Sequence, residues 1–241
     1  ERNDIPIDAL MRLFYDEHIA PTATEHMLSE EESKHIVRVL RLEKGQEIGI
    51  LDGKGRLFSC EINDAHPKRC ALTVVTIDVA EELPHEIHIA VGPTKQMERI
   101  EWFVEKATEI GITKISLIDC DNGERAKINI DRLVKKAVSA MKQSHGRFLP
   151  VINELQKLTD FIEAHPNGLI AHCYEEEKNT FSNIFKPVGC PILIGPEGDF
   201  SQKEIEKALE NGYKTITLGP NRLRTETAAL YACMQAKLIT Q

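Results

Sequence analysis

Two short segments near the C-terminus carry the residues best suited to chemistry: Ile192-Leu193-Ile194-Gly195-Pro196-Glu197-Gly198 and Leu218-Gly219-Pro220-Asn221-Arg222-Leu223-Arg224-Thr225-Glu226-Thr227-Ala228. Each is an apolar run of strand type that ends in Gly-Pro and is followed by a helix signal. Glycine lets backbone approach a ligand closely, and proline stiffens the turn that presents it. Two such strand-loop-helix units, roughly twenty residues apart, fit the two walls of one ligand site at the C-terminal ends of parallel strands. Neither loop matches a Walker A or a GxGxxG pattern, and Glu197 would repel a triphosphate. A carboxylate beside closely approaching backbone suits a ligand with hydroxyls or positive charge. S-adenosylmethionine has both, as a ribose diol and a sulfonium. A plain tight turn accounts for Gly-Pro-Glu-Gly equally well.

In the second segment, Thr225 or Thr227 is available to cap the final helix, and Glu226 sits near its positive end. Arg224 and Glu226 either face a ligand or neutralise each other at that helix start. Other chemistries have less support. His85 and His88 are three apart and His172 adjoins Cys173, but no clustered ligand set accompanies them, so no metal is expected. A Ser-His-Asp hydrolase lacks its nucleophile elbow. The six cysteines, at 60, 70, 120, 173, 190 and 233, form no CxxC and read as buried thiols in a reducing cytosol.

The elements that must position these residues follow from pattern. The chain has 241 residues, with 30 Lys and Arg against 38 Asp and Glu. A net charge of −8 argues against indiscriminate nucleic-acid binding but leaves room for a local basic face. No apolar run reaches the ~18–20 residues of a transmembrane helix and no signal-peptide pattern opens the chain, so a cytoplasmic protein without a membrane partner is expected. Residues 1–10 look detached, an appended segment before a natural start at Met11. Residues 11–83 read as a small β-barrel with one helix. Ser29 and Glu32 form a capping box opening a helix through Leu40, strands run over 46–51 and 56–63 around an Asp52-Gly53-Lys54-Gly55 hairpin turn, and a third strand covers 70–79. Glu81-Glu82-Leu83-Pro84 is the expected linker. Residues 84–241 then alternate: strands at 87–91, 115–118, 169–173, 192–194 and 216–218, helices at 97–110, 131–144, 201–211 and 225–239, and a polar loop over 175–183. That alternation implies an α/β domain with a mostly parallel sheet covered on both faces.

Gly195-Pro196-Glu197-Gly198-Asp199-Phe200-Ser201, together with Leu218-Gly219 and Leu223-Arg224-Thr225-Glu226-Thr227-Ala228, resembles the 16S ribosomal RNA uracil-N3 methyltransferase family of the knotted SPOUT superfamily. Segments at 12–15, 35–41, 105–111, 124–125 and 143–147 are similar too, so the likeness spans Met11 to the C-terminus. The family usually has glycine at Asp199, an arginine then an aliphatic residue at Asn221-Arg222, and glutamate at Lys142.

The resemblance implies a PUA-like N-terminal barrel, a C-terminal domain with a trefoil knot, and a homodimer. It also implies S-adenosylmethionine held by Ile194, Gly195, Pro196, Glu197, Gly198, Leu218, Gly219, Leu223, Thr227 and Ala228. The implied substrate is 16S ribosomal RNA of the small subunit. Its uracil N3 must lose a proton before it is nucleophilic, which a base or stabilisation of the flanking carbonyl charge would assist. Arg224 is the candidate for stabilisation and Glu226 for the base. RNA contact falls to Arg12, His35, Arg38, Arg41, Arg125 and Arg147, of which His35, Arg38 and Arg41 recur every three residues on the first helix, with Lys54, Arg56, Lys68 and Arg69 on nearby hairpins. Ala228, Ala229, Ala232 and Ala236 allow close approach of the last helix to a partner, or plain core packing. Two other readings stay open: methylation of another RNA target, and an RNA-binding module without catalysis.

Overall fold

A computed structural model describes residues 11–83, 85–124, 128–174 and 177–240; the expected appended segment, 1–10, lies outside them. Two compact units form. One comprises the chain up to Glu82 together with Met141–Leu149, the other Leu83–Ala140 and the chain from Pro150.

The first unit is a five-stranded sheet. Its strands are β1 (Leu13–Tyr15), β2 (Glu25–Met27), β3 (Glu47–Leu51), β4 (Arg56–Asp64) and β5 (Ala71–Val79), in the order β1-β3-β4-β5-β2, with β1 parallel to β3 and the other pairs antiparallel. Asp52 makes the β3–β4 turn. Its buried carboxylate accepts from the Lys54 and Arg56 N–H groups at 2.7 and 3.0 Å and pairs with the Arg56 guanidinium at 3.0 Å. Phe14, Ile36, Ile48, Phe58, Ile62 and Leu72 close one core between the sheet and the helix.

That helix departs from expectation. Ser29 Oγ accepts from the Glu32 N–H, but α1 covers only Glu30–Lys34, and His35–Val39 continues as a π turn. Arg41 then takes a left-handed φ of 54°, and the Leu42 N–H closes on the Ile36 carbonyl at 3.0 Å. Arg41 therefore does not share a helical face with His35 and Arg38, because the wider π turn and the reversal at Arg41 break the three-residue spacing. Met141–Leu149 was also not foreseen in this unit. The Leu149 N–H donates to the Gly53 carbonyl, the Gly55 N–H donates to the Arg147 carbonyl, and Met141 packs with Leu51 and Leu57.

The second unit is built on β6 (His88–Val91), β7 (Lys114–Asp119), β8 (Val151–Lys157), β9 (Leu169–Ala171), β10 (Asn179–Thr180), β11 (Ile192–Ile194) and β12 (Lys214–Thr217). All pairs are parallel, in the order β10-β12-β9-β11-β6-β7-β8. Its helices are α2 (Met97–Ile110), α3 (Ile130–Gln143, whose end joins the first unit), α4 (Leu158–Ala164), α5 (Phe181–Ile184), α6 (Gln202–Glu210) and α7 (Thr225–Ile239). Gly111 ends α2 in the left-handed region, and the full Ser201–Glu204 capping box starts α6. On one side Phe161 and Ile162 of α4 and Ile205 and Ala208 of α6 pack with Ile170 and Leu193 of the sheet. α7 packs on α2, β6 and β11. Ala229, Ala232 and Ala236 are fully buried, so the small residues of the last helix serve the core.

Three parts of this unit differ from the pattern reading. The polar loop over 175–183 carries β10 and the first residues of α5, anchored by Phe181 stacked on Phe185 at 5.0 Å. β8 and α4 gave no clear signal, because β8 is an edge strand of mostly exposed residues. β9 ends at Ala171, two residues early. One topological feature positions the site. β9 lies between β11 and β12, yet α7, which follows β12, packs back on β11 and β6. Residues 218–224 thus carry the chain back past the end of β9. Among the described residues no helix is long and apolar enough to cross a membrane.

Candidate functional site

Because β9, β11 and β12 are adjacent and parallel, their C-terminal ends open on one edge. There His172, Cys173 and Lys178 after β9, the loops at 195–199 and 218–224 and the first turn of α7 line a cavity of about 870 Å³, with Arg99 from α2 in its wall. That volume lies in the range of cofactor pockets.

Local sequence explains the shape. The Gly92 N–H donates to the Ile194 carbonyl at 2.9 Å, and a Cβ on Gly92 would lie 2.7 Å from Pro196, so only glycine admits the proline turn here. Gly219 has φ 112°, and a Cβ built on it meets nothing within 4 Å, leaving bare backbone beside the cavity. Thr225 Oγ1 donates to the Gly195 carbonyl at 3.0 Å and ties the two loops together. Asp199, at φ 62°, accepts from the Cys173 N–H at 2.7 Å and the Phe200 N–H at 2.8 Å, joining the β11 loop to the end of β9. Burial, reinforced by Asp199, pushes the Cys173 thiol up, so the cavity wall there is a neutral thiol.

The charged groups form two sets. Arg222 and Arg224 are exposed and face the cavity, and Lys178 Nζ donates to the His172 carbonyl at 2.6 Å. In the other set, Arg99 Nη1 donates to Glu197 Oε1 at 2.8 Å, and Arg99 Nε lies 4.0 Å from Glu226 Oε1. Glu226 is buried, and its Oε2 has no hydrogen-bond partner among the described residues.

Of the residues singled out from sequence, Ile194, Gly195, Pro196, Glu197, Leu218, Gly219, Leu223, Arg224 and Ala228 come together around this cavity. Gly198, Thr227 and Glu226 do not line it. Gly198 instead accepts from Asn122 Nδ2 at 3.3 Å, Thr227 is exposed on α7, and Glu226 lies behind the wall. Arg99, His172, Cys173 and Lys178 were missed. The last three follow β9 and were open to the same rule about strand ends, whereas nothing local links Arg99 to a loop 98 residues on.

The RNA candidates lie in the first unit, apart from Arg125, which is outside the described residues. Arg12, His35, Arg38 and Arg41 are exposed, as are Lys68 and Arg69. Arg147 bonds Asp78 at 2.8 Å, Arg56 is committed to Asp52, and Lys54 Nζ reaches the Glu17 carbonyl at 3.4 Å.

Comparison with known proteins gives concordant matches. A family model described as an RNA methyltransferase domain matches residues 81–237, and one described as an RNA methyltransferase PUA domain matches residues 28–75. The ribosomal RNA small subunit methyltransferase E of Bacillus subtilis is 32% identical over 233 residues, covering 88% of each chain. Among solved structures, a probable rRNA-methyltransferase from Porphyromonas gingivalis superposes with a TM-score of 0.84 at 37% identity, covering 95% of this chain and 98% of that one. A ribosomal RNA small subunit methyltransferase E from Neisseria gonorrhoeae, bound to S-adenosyl methionine, shares the fold with a TM-score of 0.82 at 24% identity, covering 95% and 97%.

Proposed function

Since this chain belongs to the RNA methyltransferase family that includes the ribosomal RNA small subunit methyltransferases E, we propose that it transfers the methyl group of S-adenosylmethionine to N3 of a uracil in 16S ribosomal RNA. The observation that carries the reading is the cavity itself, which the two Gly-Pro loops line together, with Glu197 and Arg224 among its residues.

The residues present fit the cofactor. The bare Gly219 backbone leaves room for close approach of a flat ring, and the Glu197 carboxylate suits a diol or a cation. Ile194, Gly195, Pro196, Leu218, Leu223 and Ala228 would enclose the adenosine, with Gly198 and Thr227 supporting their loops. When bound, S-adenosylmethionine supplies an electrophilic methyl group. The chain's own task is to make the uracil nitrogen nucleophilic and to aim it. Arg224, exposed at the cavity and without a carboxylate partner among the described residues, is placed to donate to a carbonyl oxygen flanking N3. Charge that develops on that oxygen as the N3 proton leaves to solvent is then stabilised by a fixed guanidinium. Glu226, behind the wall, supports the loops in this reading rather than taking the proton.

Residues 11–83 are read as the RNA-binding, PUA-like domain, and residues 84–241 as the catalytic domain. The path of residues 218–224 past β9 is read as the crossing of a trefoil knot. Tyr231, Met234 and Leu238, exposed at helical spacing on α7, are read as the homodimer face. Such an enzyme would work in the cytoplasm on small-subunit RNA. The test is methyl transfer from labelled S-adenosylmethionine to small ribosomal subunits lacking the modification, with the nucleoside identified by mass spectrometry. A 3-methyluridine product supports the reading; a ribose-methylated nucleoside, or no incorporation, overturns it.

A further inference from the structure

Glu197 and Glu226 stand on the two separate cofactor loops, one after β11 and one in the first turn of α7, and a single guanidinium faces both. Arg99 projects from the first turn of α2, is only 25% exposed, and commits Nη1 to Glu197 at 2.8 Å while Nε stays 4.0 Å from Glu226. The second contact is too long for a hydrogen bond. Glu226 is buried, its side chain 11% exposed, and its Oε2 has no hydrogen-bond partner among the described residues. Two carboxylates therefore share one cation, so this cluster by itself carries a formal charge of −1, in a cavity that Arg222, Arg224, Lys178 and Asp199 also line. In a partly dry cavity such a charge acts over several ångströms on whatever occupies the space.

We propose that Arg99 is a positioning residue that sets the charge balance around Glu197 and Glu226, so that the cavity discriminates moderately between a cationic occupant and its neutral counterpart. The inference rests on the cavity being the methyl-donor site. S-adenosylmethionine is cationic at sulfur, and the product S-adenosylhomocysteine is a neutral thioether. A more negative local field would hold the donor more tightly and select against the product more strongly. A less negative one would let the product compete. The preference for donor over product thus reads the charge balance that Arg99 maintains.

Calorimetric titration of the full chain with S-adenosylmethionine and with S-adenosylhomocysteine tests this without any turnover. The quantity read is the Kd for product divided by the Kd for donor. Arg99→Met should raise that ratio roughly tenfold, and Glu197→Gln should lower it by a similar factor, as one charge gained or lost at such range predicts. The double variant restores the net charge and should return near the wild-type ratio. A purely structural role for Arg99 would weaken both ligands together and leave the ratio unmoved, which would overturn the proposal, as would a shift of both single variants in one direction. Melting of the unliganded proteins checks folding. If Arg99→Met does not fold, Glu197→Gln alone decides, since an unchanged ratio there refutes the idea. A wild-type chain that binds neither ligand would refute the proposed function instead.

Discussion

Asp199 occupies a left-handed conformation that glycine adopts most readily, and its carboxylate explains how the chain tolerates that. The left-handed region costs a non-glycine residue ~1–2 kcal/mol, less for aspartate. Two N–H groups bonded by one carboxylate offset it, at about 1 kcal/mol or more each. Asp199→Ala keeps the backbone cost and loses both bonds, so it should destabilise the protein by ~1–3 kcal/mol. Asp199→Gly loses the bonds but relieves the backbone, and should lie about 1 kcal/mol above the alanine variant. Denaturant unfolding of both checks this; equal stabilities would mean that the turn carries no strain. Arg224 is a different case, since its side chain has no hydrogen bond or ion pair among the described residues. Arg224→Ala should lower methyl-transfer turnover by roughly 10²–10³-fold, the effect of removing one donor from a developing anion. Its affinity for S-adenosylmethionine should stay within about threefold, because the interaction is made only with the reacting base. Loss of cofactor affinity equal to the loss of rate would reassign the residue to cofactor binding.

Among the elements, those with both a periodic pattern and an end signal were legible. α2 ends at the glycine that marks it, α6 starts at its capping box, and β11 matches its apolar run to the residue. The site was legible to the same extent, because the two Gly-Pro loops follow strands that are adjacent and parallel. What local sequence could not carry was set by distant partners: the π turn at His35, the docking of Met141–Leu149 on the β3–β4 hairpin, the edge strand β8, and Arg99 against Glu197. His88 in β6 shows the same division. Sequence placed it in a strand and weighed it with His85 as a metal ligand, but its Nε2 hydrogen-bonds with Ser116 Oγ at 2.8 Å, Asn153 Nδ2 donates to that same oxygen at 2.9 Å, and the ring packs edge-on to Phe161. Burial, helped by Lys114 and His165, pushes the imidazole from 6.5 down to about 3. The unfolded chain therefore binds the His88 proton more readily than the folded one. The stability contributed by the neutral ring is complete above pH ~6.5 and is lost as pH falls towards 3, with a slope approaching ~1.4 kcal/mol per pH unit between. Replacing the ring by His88→Gln should flatten that acid limb in unfolding measurements between about pH 6 and 4. An unaltered slope would place the acid sensitivity elsewhere.

At the scale of the whole molecule, a net charge of −8 means that general electrostatic attraction cannot bring this chain to RNA. Affinity must come from a few local cations, and those of the first unit differ in availability. Arg56 is committed to Asp52 and Arg147 bonds Asp78, whereas Arg38 and Arg41 are exposed, with no ion pair among the described residues. Because Arg41 leaves the helix at φ 54°, the two guanidinium groups project from different local structures, so their phosphate contacts should act independently. The dependence of RNA affinity on salt counts such contacts, falling by ~0.7–0.9 in log–log slope for each cation that releases a counterion. Arg38→Gln and Arg41→Gln should each flatten the slope by about that amount, and together by about twice as much. The cavity proposed for the cofactor is lined by second-unit residues, so the same variants should bind S-adenosylmethionine as the wild type does. Filter binding to small-subunit RNA over a salt series, with calorimetric titration of the cofactor alongside, separates the two effects. Unchanged slopes would remove these arginines from the RNA face. A fall in cofactor affinity would show that the unit carrying them also shapes the catalytic cavity.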